Sequence, residues 1–342
     1  MSPASDLSGP SMQAVVVRAP GGPEMLEQAR VLAPVLAPGS VEIEVRAFAL
    51  NRADLLQRRG HYPPPPGASE ILGLECAGVV RAVAPDVGGI ELGSRVMALL
   101  SGGGYAERVV SPAGLVLPIP EQLSFEQAAA IPEAFLTASE ALFTLGQTGP
   151  ESVVLIHAGA SGVGTAALQL ARLVGARVLA TAGAHEKVAW LRELGVDRAI
   201  HYPSEDFAEV CHIETKGRGV DVVLDFVGAN YAERHQHCLA EAGRWVVLGL
   251  LGGSRASLDL NIVLRRRLQV LGFMLRSRAL SDKCAIVERF RSRFLSELER
   301  GRLRPIVDRV YPWSEIQAAH ERMERNENRG KIVLAIPGSD AD

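Results

Sequence analysis

The chain has 342 residues, with 36 Lys and Arg against 39 Asp and Glu, a formal net charge of −3, 47% hydrophobic and 22% charged residues. That balance suits ordinary globular domains, roughly two at about 150 residues each. It excludes global disorder, a collagen-like repeat and a broad basic field for nucleic acid, and no apolar run reaches the ~18 residues of a membrane-spanning helix.

The opening stretch MSPASDLSGPS, residues 1–11, lacks a basic segment followed by an apolar core. It reads as a disordered leader, not as a secretory signal. Up to about residue 130 the sequence is β-rich. MQAVVVR, VEIEVRAFAL, CAGVVRAV, RVMALL and ERVV are short runs of strand formers, separated by Pro and Gly clusters at 20–24, 37–40, 63–67 and 102–104. No helical pattern is expected before SFEQAAA, where Ser124 and Gln127 have capping-box spacing. From about 150 the apolar strands VVLIHA, RVLATA, RAIHY, VDVVLDFV, RWVVLGL and LQVLGF follow, and helix-length segments separate the first five. This alternation predicts a doubly wound α/β domain with a parallel sheet and right-handed crossovers. The tail reads as an amphipathic helix over 281–300, a strand RVYPW, a helix SEIQAAHERMERN and a strand KIVLAI. A return of that tail to the first domain is left open by the pattern.

Cys76, Cys211, Cys238 and Cys284 lie far apart, which suits reduced thiols in a cytoplasmic protein. His235, His237 and Cys238 match no zinc spacing and are expected on a helix surface, as Arg265–Arg267 are on a solvated face. Asp225 reads as an acid ending a strand.

The most informative stretch is VVLIHAGASGVGTAALQLARLVGARVLATAG, residues 153–183. A strand enters a tight turn and then a helix. Gly159, Ser161 and Gly164 stand at the three glycine places of a dinucleotide fingerprint, with Ala160, Gly162 and Val163 between them. Glycines permit the tight turn and the close helix–strand approach, and amides at the helix start meet a pyrophosphate. The second strand ends Ala182-Gly183-Ala184, without the acid that holds a ribose 2′-hydroxyl. Lys187 follows, and an ammonium there attracts a 2′-phosphate, so the expected cofactor is NADPH.

The β-rich part, the dinucleotide turn and the tail together resemble the medium-chain dehydrogenase/reductase superfamily from Met12 to Pro337. The resemblance implies an α/β fold: a GroES-like β-rich catalytic domain over 12–130 and 276–342, and a Rossmann doubly wound parallel-sheet NADPH-binding domain over 131–275. Zinc members carry Cys and His ligands in two segments. In AFALNRADL the cysteine place holds Asn51, and in ILGLECAGVV the histidine place of Gly73-Leu74-Glu75 holds Leu74. Residues 111–156 contain neither Cys nor His, and the four-cysteine lobe for structural zinc is missing. No metal is therefore expected.

The zinc-free pattern resembles the NADPH:quinone oxidoreductases, and is most similar to their p53-inducible type. The runs ALNRADLLQRRGHYPPPPGAS, ILGLECAGVV, AAAIPEAFLTA, LIHAGASGVGTAALQL, GRWVVLGLLGG, LRSR and GKIVL carry this resemblance. It implies that Asn51 and Tyr62 flank the nicotinamide and acceptor, and that Thr137 lies near the nicotinamide. Lys187 and Tyr202 would contact the 2′-phosphate, Gly249, Leu250 and Leu251 the carboxamide, and Lys331 the cofactor from the tail. Ala184 stands where relatives often have a hydroxyl residue. Each residue has a plainer alternative: Asn51 and Asp54 organise a turn, Tyr62 caps the Pro-rich loop, Thr137 bonds its own helix, and Tyr202 packs on the surface. The implied activity is zinc-independent hydride transfer to a quinone or another conjugated carbonyl. An enone or enoyl reductase and a non-catalytic NADPH-binding protein remain as alternatives. A homodimer without nucleic-acid or membrane partners is expected, joined at a sheet edge.

Overall fold

A computed structural model describes residues 9–337. Of the leader expected over 1–11, residues 1–8 lie outside the described residues, and Ser11 already opens the first strand. The chain divides into two compact units, Met1–Glu133 with Arg276–Asp342, and Ala134–Leu275.

In chain order the first unit contains β1 (Ser11–Val17), β2 (Leu26–Leu32), β3 (Ser40–Ala49), α1 (Arg52–Arg58), β4 (Glu75–Val83), β5 (Arg95–Leu99), β6 (Arg108–Pro112), β7 (Val116–Pro118) and α2 (Phe125–Ala129). The helix α3 (Pro132–Ser139) follows. The second unit continues with β8 (Val153–Ile156), α4 (Gly162–Leu173), β9 (Arg177–Ala182), α5 (His185–Glu193), β10 (Arg198–His201) and α6 (Phe207–Glu214). It closes with β11 (Val220–Asp225), α7 (Ala232–Cys238), β12 (Leu239–Val247), α8 (Leu260–Arg266) and β13 (Gln269–Gly272). The tail supplies α9 (Leu280–Glu299), β14 (Val307–Pro312), α10 (Ile316–Glu324) and β15 (Lys331–Ala335).

In the first unit a seven-stranded sheet runs β14-β15-β3-β4-β5-β7, with β6 also on β3. Leu334 of β15 faces Phe48 of β3 in antiparallel register, so the tail completes this sheet. Phe48 and Tyr105 stack at 4.4 Å within a core that includes Val41, Ile43, Leu72 and Ile332. A helix before residue 124 was not expected, yet α1 spans Arg52–Arg58. Its seven residues are too few to show an amphipathic period, and it is fixed locally: the Asn51 amide N–H donates to Asp54 Oδ2 at 2.7 Å. Strand β2 was also unexpected. Charged side chains interrupt LEQARVL, but pairing with β1 in continuous register satisfies the backbone groups on its β1 edge.

The second unit is a parallel sheet in the order β10-β9-β8-β11-β12-β13, the doubly wound arrangement expected. Strand order reverses beside β8. The crevice at the carboxyl ends of β8 and its neighbours is where this topology binds ligands. Among the described residues no helix is long and apolar enough to cross a membrane.

Candidate functional site

In the second unit, β8 feeds the glycine turn at that reversal. A Cβ on Gly159 would lie 2.8 Å from the Ala180 Cβ of β9, and one on Gly164 would lie 2.5 Å from the Ala158 carbonyl oxygen. Both glycines are therefore required by close packing. Ser161 replaces the middle glycine and caps α4, its Oγ accepting from the Gly164 N–H at 3.0 Å. The amides of Gly162 and Val163 have no protein acceptor among the described residues and sit at the positive end of a twelve-residue helix. That is the donor set a pyrophosphate needs. Ala160 is buried beneath the turn.

Gly183 lies just beyond β9. A Cβ there would meet the Tyr202 hydroxyl at 2.6 Å, so only glycine lets the half-exposed Tyr202 lie across the strand end. Lys187 occupies the first turn of α5, partly buried, and the ring of His185, which opens that helix, stacks at 3.8 Å on His201 at the end of β10. Gly249, Leu250 and Leu251 form the turn after β12. The Gly249 and Leu251 amides donate to Asp225 O and Phe226 O, and both leucine side chains are exposed. Thr137 is buried on α3.

In the first unit the structure brings Asn51 and Lys331 together. The Lys331 ammonium is buried and donates to Leu50 O at 2.7 Å, Asn51 Oδ1 at 2.7 Å and Glu75 Oε1 at 2.6 Å. All three of its donors are thus engaged within the unit. Asn51 Nδ2 donates to the same Glu75 oxygen at 2.9 Å, and the Glu133 amide donates to Glu75 Oε2 at 2.8 Å. A carboxylate on one side and an ammonium on the other leave the Asn51 amide a single sensible orientation. Tyr62 stands apart from this cluster. Its ring lies 5.2 Å from the Arg276 guanidinium carbon, and its hydroxyl has no hydrogen-bond partner among the described residues. Burial, then the nearby Glu133, raises its pKa, so the phenol keeps its proton at neutral pH. Burial next to Glu75 also pushes the Glu133 carboxyl up to about 8.

A second layer supports the cluster. Buried Asp54 accepts from the Asn51 and Gly73 amides and from the Tyr105 hydroxyl, and burial raises its carboxyl to about 6. Arg58 Nη1 lies 3.0 Å from His320 Nδ1, and Tyr105 Oη lies 3.2 Å from His320 Nε2. Burial holds His320 well below its usual pKa, hence neutral. A guanidinium only donates, so Nδ1 accepts and Nε2 carries the proton toward Tyr105.

Two family descriptions match the chain: an alcohol dehydrogenase GroES-like domain over residues 37–121 and a zinc-binding dehydrogenase over residues 162–290. The rat synaptic vesicle membrane protein VAT-1 homolog is 34% identical over 97% of this chain and 86% of its own length. The chain belongs to the medium-chain dehydrogenase/reductase superfamily. It is an NAD(P)-dependent oxidoreductase of that superfamily. Solved relatives include an NAD-dependent alcohol dehydrogenase, 35% identical with TM-score 0.83 over 95% of this chain and 100% of that one. A Pseudomonas syringae quinone oxidoreductase is 29% identical with TM-score 0.84, over 95% of this chain and 99% of its own. The CurK enoyl reductase aligns equally well, at 29% identity and TM-score 0.85 over 95% and 99%.

Within this medium-chain dehydrogenase/reductase, Leu74 is buried apolar and Asn51 is bound to Lys331 and Glu75. Among the described residues no group of three or more His, Cys, Asp or Glu could hold a metal ion. The expectation of a helix-surface HQHC cluster is corrected: His237 is exposed, but His235 and Cys238 are buried. His235 Nε2 lies 2.8 Å from His157 Nε2, and His157 Nδ1 lies 3.1 Å from Thr181 Oγ1. Burial keeps both imidazoles neutral, His235 falling to about 3. Asp225 ends β11 by accepting from the Val227 and Gly228 amides and from Trp245 Nε1. Arg266 is less solvated than expected, because it binds the carbonyls of Gln236, His237 and Leu239 at the end of α7. Sequence reasoning left Glu75, Glu133 and Arg276 without roles. Only Glu75 carried a signal, as an acid inside a buried strand run.

Proposed function

We propose that this protein reduces quinones with NADPH and without zinc, the bound dihydronicotinamide supplying a hydride. The observation that carries the reading is the Asn51–Lys331–Glu75 cluster. It fills with satisfied hydrogen bonds the place where zinc-bearing relatives are expected to hold metal ligands. The amides of Gly162 and Val163 suit the pyrophosphate, and Lys187, with no acid at the end of β9, suits a 2′-phosphate. Lys331 spends its donors on Asn51, Glu75 and Leu50, so it acts by orienting Asn51. Of the two candidate donors to an acceptor oxygen, Tyr62 is the freer. Asn51 commits one N–H to Glu75 and the other to Ala49 O at 3.4 Å. The Tyr62 phenol, protonated at neutral pH, stabilises negative charge growing on the acceptor oxygen, and water completes the hydroquinone's protons.

The unpartnered Tyr62 hydroxyl near a protonated Glu133 carboxyl favours one second reading. A proton source beside the acceptor also serves enone or enoyl-thioester reduction, where carbon must be protonated. A homodimer is proposed through the β13 edge, where Val270 and Met274 are exposed. Gel filtration with light scattering tests it.

Initial rates of NADPH and NADH oxidation with an ortho-quinone, a para-quinone, an enone and an alkenal test the activity. NADPH with a quinone should be fastest, with no effect of a chelator. An enone turning over fastest refutes the quinone assignment. NADPH binding without turnover points instead to a non-catalytic sensor.

A further inference from the structure

The first unit contains a cavity of about 620 Å³, within the range of small-molecule sites. Arg108, Arg276, Arg278 and Lys283 line it, and no Asp or Glu does, in a chain whose net charge is negative. Arg108 has an acidic partner, Glu42. The two cations that matter most have only neutral hydrogen-bond partners. Arg276 is 3% exposed; its Nε donates to Ser101 O at 2.8 Å and its Nη2 to Gln57 Oε1 at 2.7 Å. Its Nη1 is buried with no acceptor. Lys283 is 7% exposed and donates to Ser101 Oγ at 2.7 Å and Arg276 O at 3.3 Å. Neither forms an ion pair among the described residues. Two buried positive charges held by hydroxyl, amide and carbonyl oxygens are under-compensated, and an orphaned guanidinium donor costs free energy until an acceptor reaches it. Much of the remaining wall is apolar, including Ile71, Leu99 and Leu115.

We propose that this cavity binds a monocarboxylate with a medium-length hydrocarbon body, its carboxylate set against Arg276 and Lys283. A guanidinium fork matches a carboxylate geometrically, and the adjacent ammonium adds a second charge-assisted bond. The apolar wall covers the hydrocarbon part, so inorganic phosphate, which lacks one, binds less well. The inference does not depend on the hydride-transfer reading, because binding is measured without cofactor.

The test is calorimetric titration of the full chain with octanoate, with octanol as the neutral counterpart, and with inorganic phosphate. Octanoate should bind saturably, and octanol and phosphate each at least about ten-fold more weakly, the worth of one charged hydrogen bond. Lys283→Met should weaken octanoate by a similar factor while leaving octanol unchanged, and Arg276→Met by more. Equal affinity for octanol and octanoate, no octanoate binding, or undiminished octanoate affinity in folded Lys283→Met overturns the proposal. If Arg276→Met does not fold, the wild-type comparison and Lys283→Met still decide it.

Discussion

Replacing Lys331 by Met tests whether the Asn51–Lys331–Glu75 cluster is an organised support. The ammonium makes hydrogen bonds of 2.7, 2.7 and 2.6 Å, and the Glu75 side chain it pairs with is fully buried. Breaking a buried pair by removing one partner costs about 3–5 kcal/mol. Glu75 keeps the donors of Asn51 and the Glu133 amide, so the expected cost is the lower end, about 3 kcal/mol. At roughly 2–4 °C per kcal/mol for a unit of this size, the melting transition of the β-rich unit should fall by about 6–12 °C in scanning calorimetry. The double variant Lys331→Met with Glu75→Gln should lose clearly less than the sum of the single losses, because no buried carboxylate is stranded. Turnover in Lys331→Met should fall through kcat more than KM, since Asn51 loses its fixed orientation. A Lys331→Met melting point within about 2 °C of the parent, or strict additivity in the double variant, would refute the reasoning.

Other outcomes follow from single residues. Lys187→Ala should raise the NADPH dissociation constant about ten-fold and leave NADH nearly unchanged, as fluorescence titration can check; equal losses would remove Lys187 from the 2′-phosphate. Gly164→Ala puts a methyl 2.5 Å from a backbone oxygen, so it should cost about 1–3 kcal/mol and weaken both dinucleotides. His235 is neutral in the fold, with its pKa lowered to about 3 from an ordinary 6.5. The unfolded chain therefore binds more protons in that window, and stability present above about 6.5 is lost as pH falls toward 3. Acid titration followed by emission of Trp245, whose ring lies 4.8 Å from His235, should show this loss, and a folded His235→Leu should shift the midpoint downward. Glu133 runs the other way. Its carboxyl is raised from 4.5 to about 8, so the folded state binds more protons there and stability declines as pH rises through the window. Glu133→Gln should flatten that decline in urea titrations at several pH values.

The glycine turn was legible because its causes are local. Gly159 and Gly164 are demanded by contacts within one strand–turn–helix unit, and Ser161 caps the helix three residues before its donor. The parallel sheet was legible for a similar reason, since strands buried on both faces must be apolar throughout. The absence of Cys at 51 and His at 74 is a matter of composition at known places in a motif. What the residues at 51, 75 and 331 do was not legible. Glu75 and Lys331 are 256 positions apart and meet only because β15 joins the sheet through β3, and β4 lies on the other side of β3. His235 shows the same limit. Its helical spacing separates it from His237, but burial against His157 comes from packing between elements 78 residues apart. Arg276 stood in the sequence only as part of the LRSR run, without a role of its own, and its orphaned donor exists only where the tail meets the Ser101 and Gln57 segments. Sequence by itself determined most of the elements, though not α1 or β2, together with the glycine turn and the residues that stand at the zinc-ligand places, since each depends on neighbours within a few residues. The charge cluster, the buried histidine pair and the cationic cavity were decided by tertiary structure, because the energy of a buried polar group depends on partners that only the folded chain brings within reach.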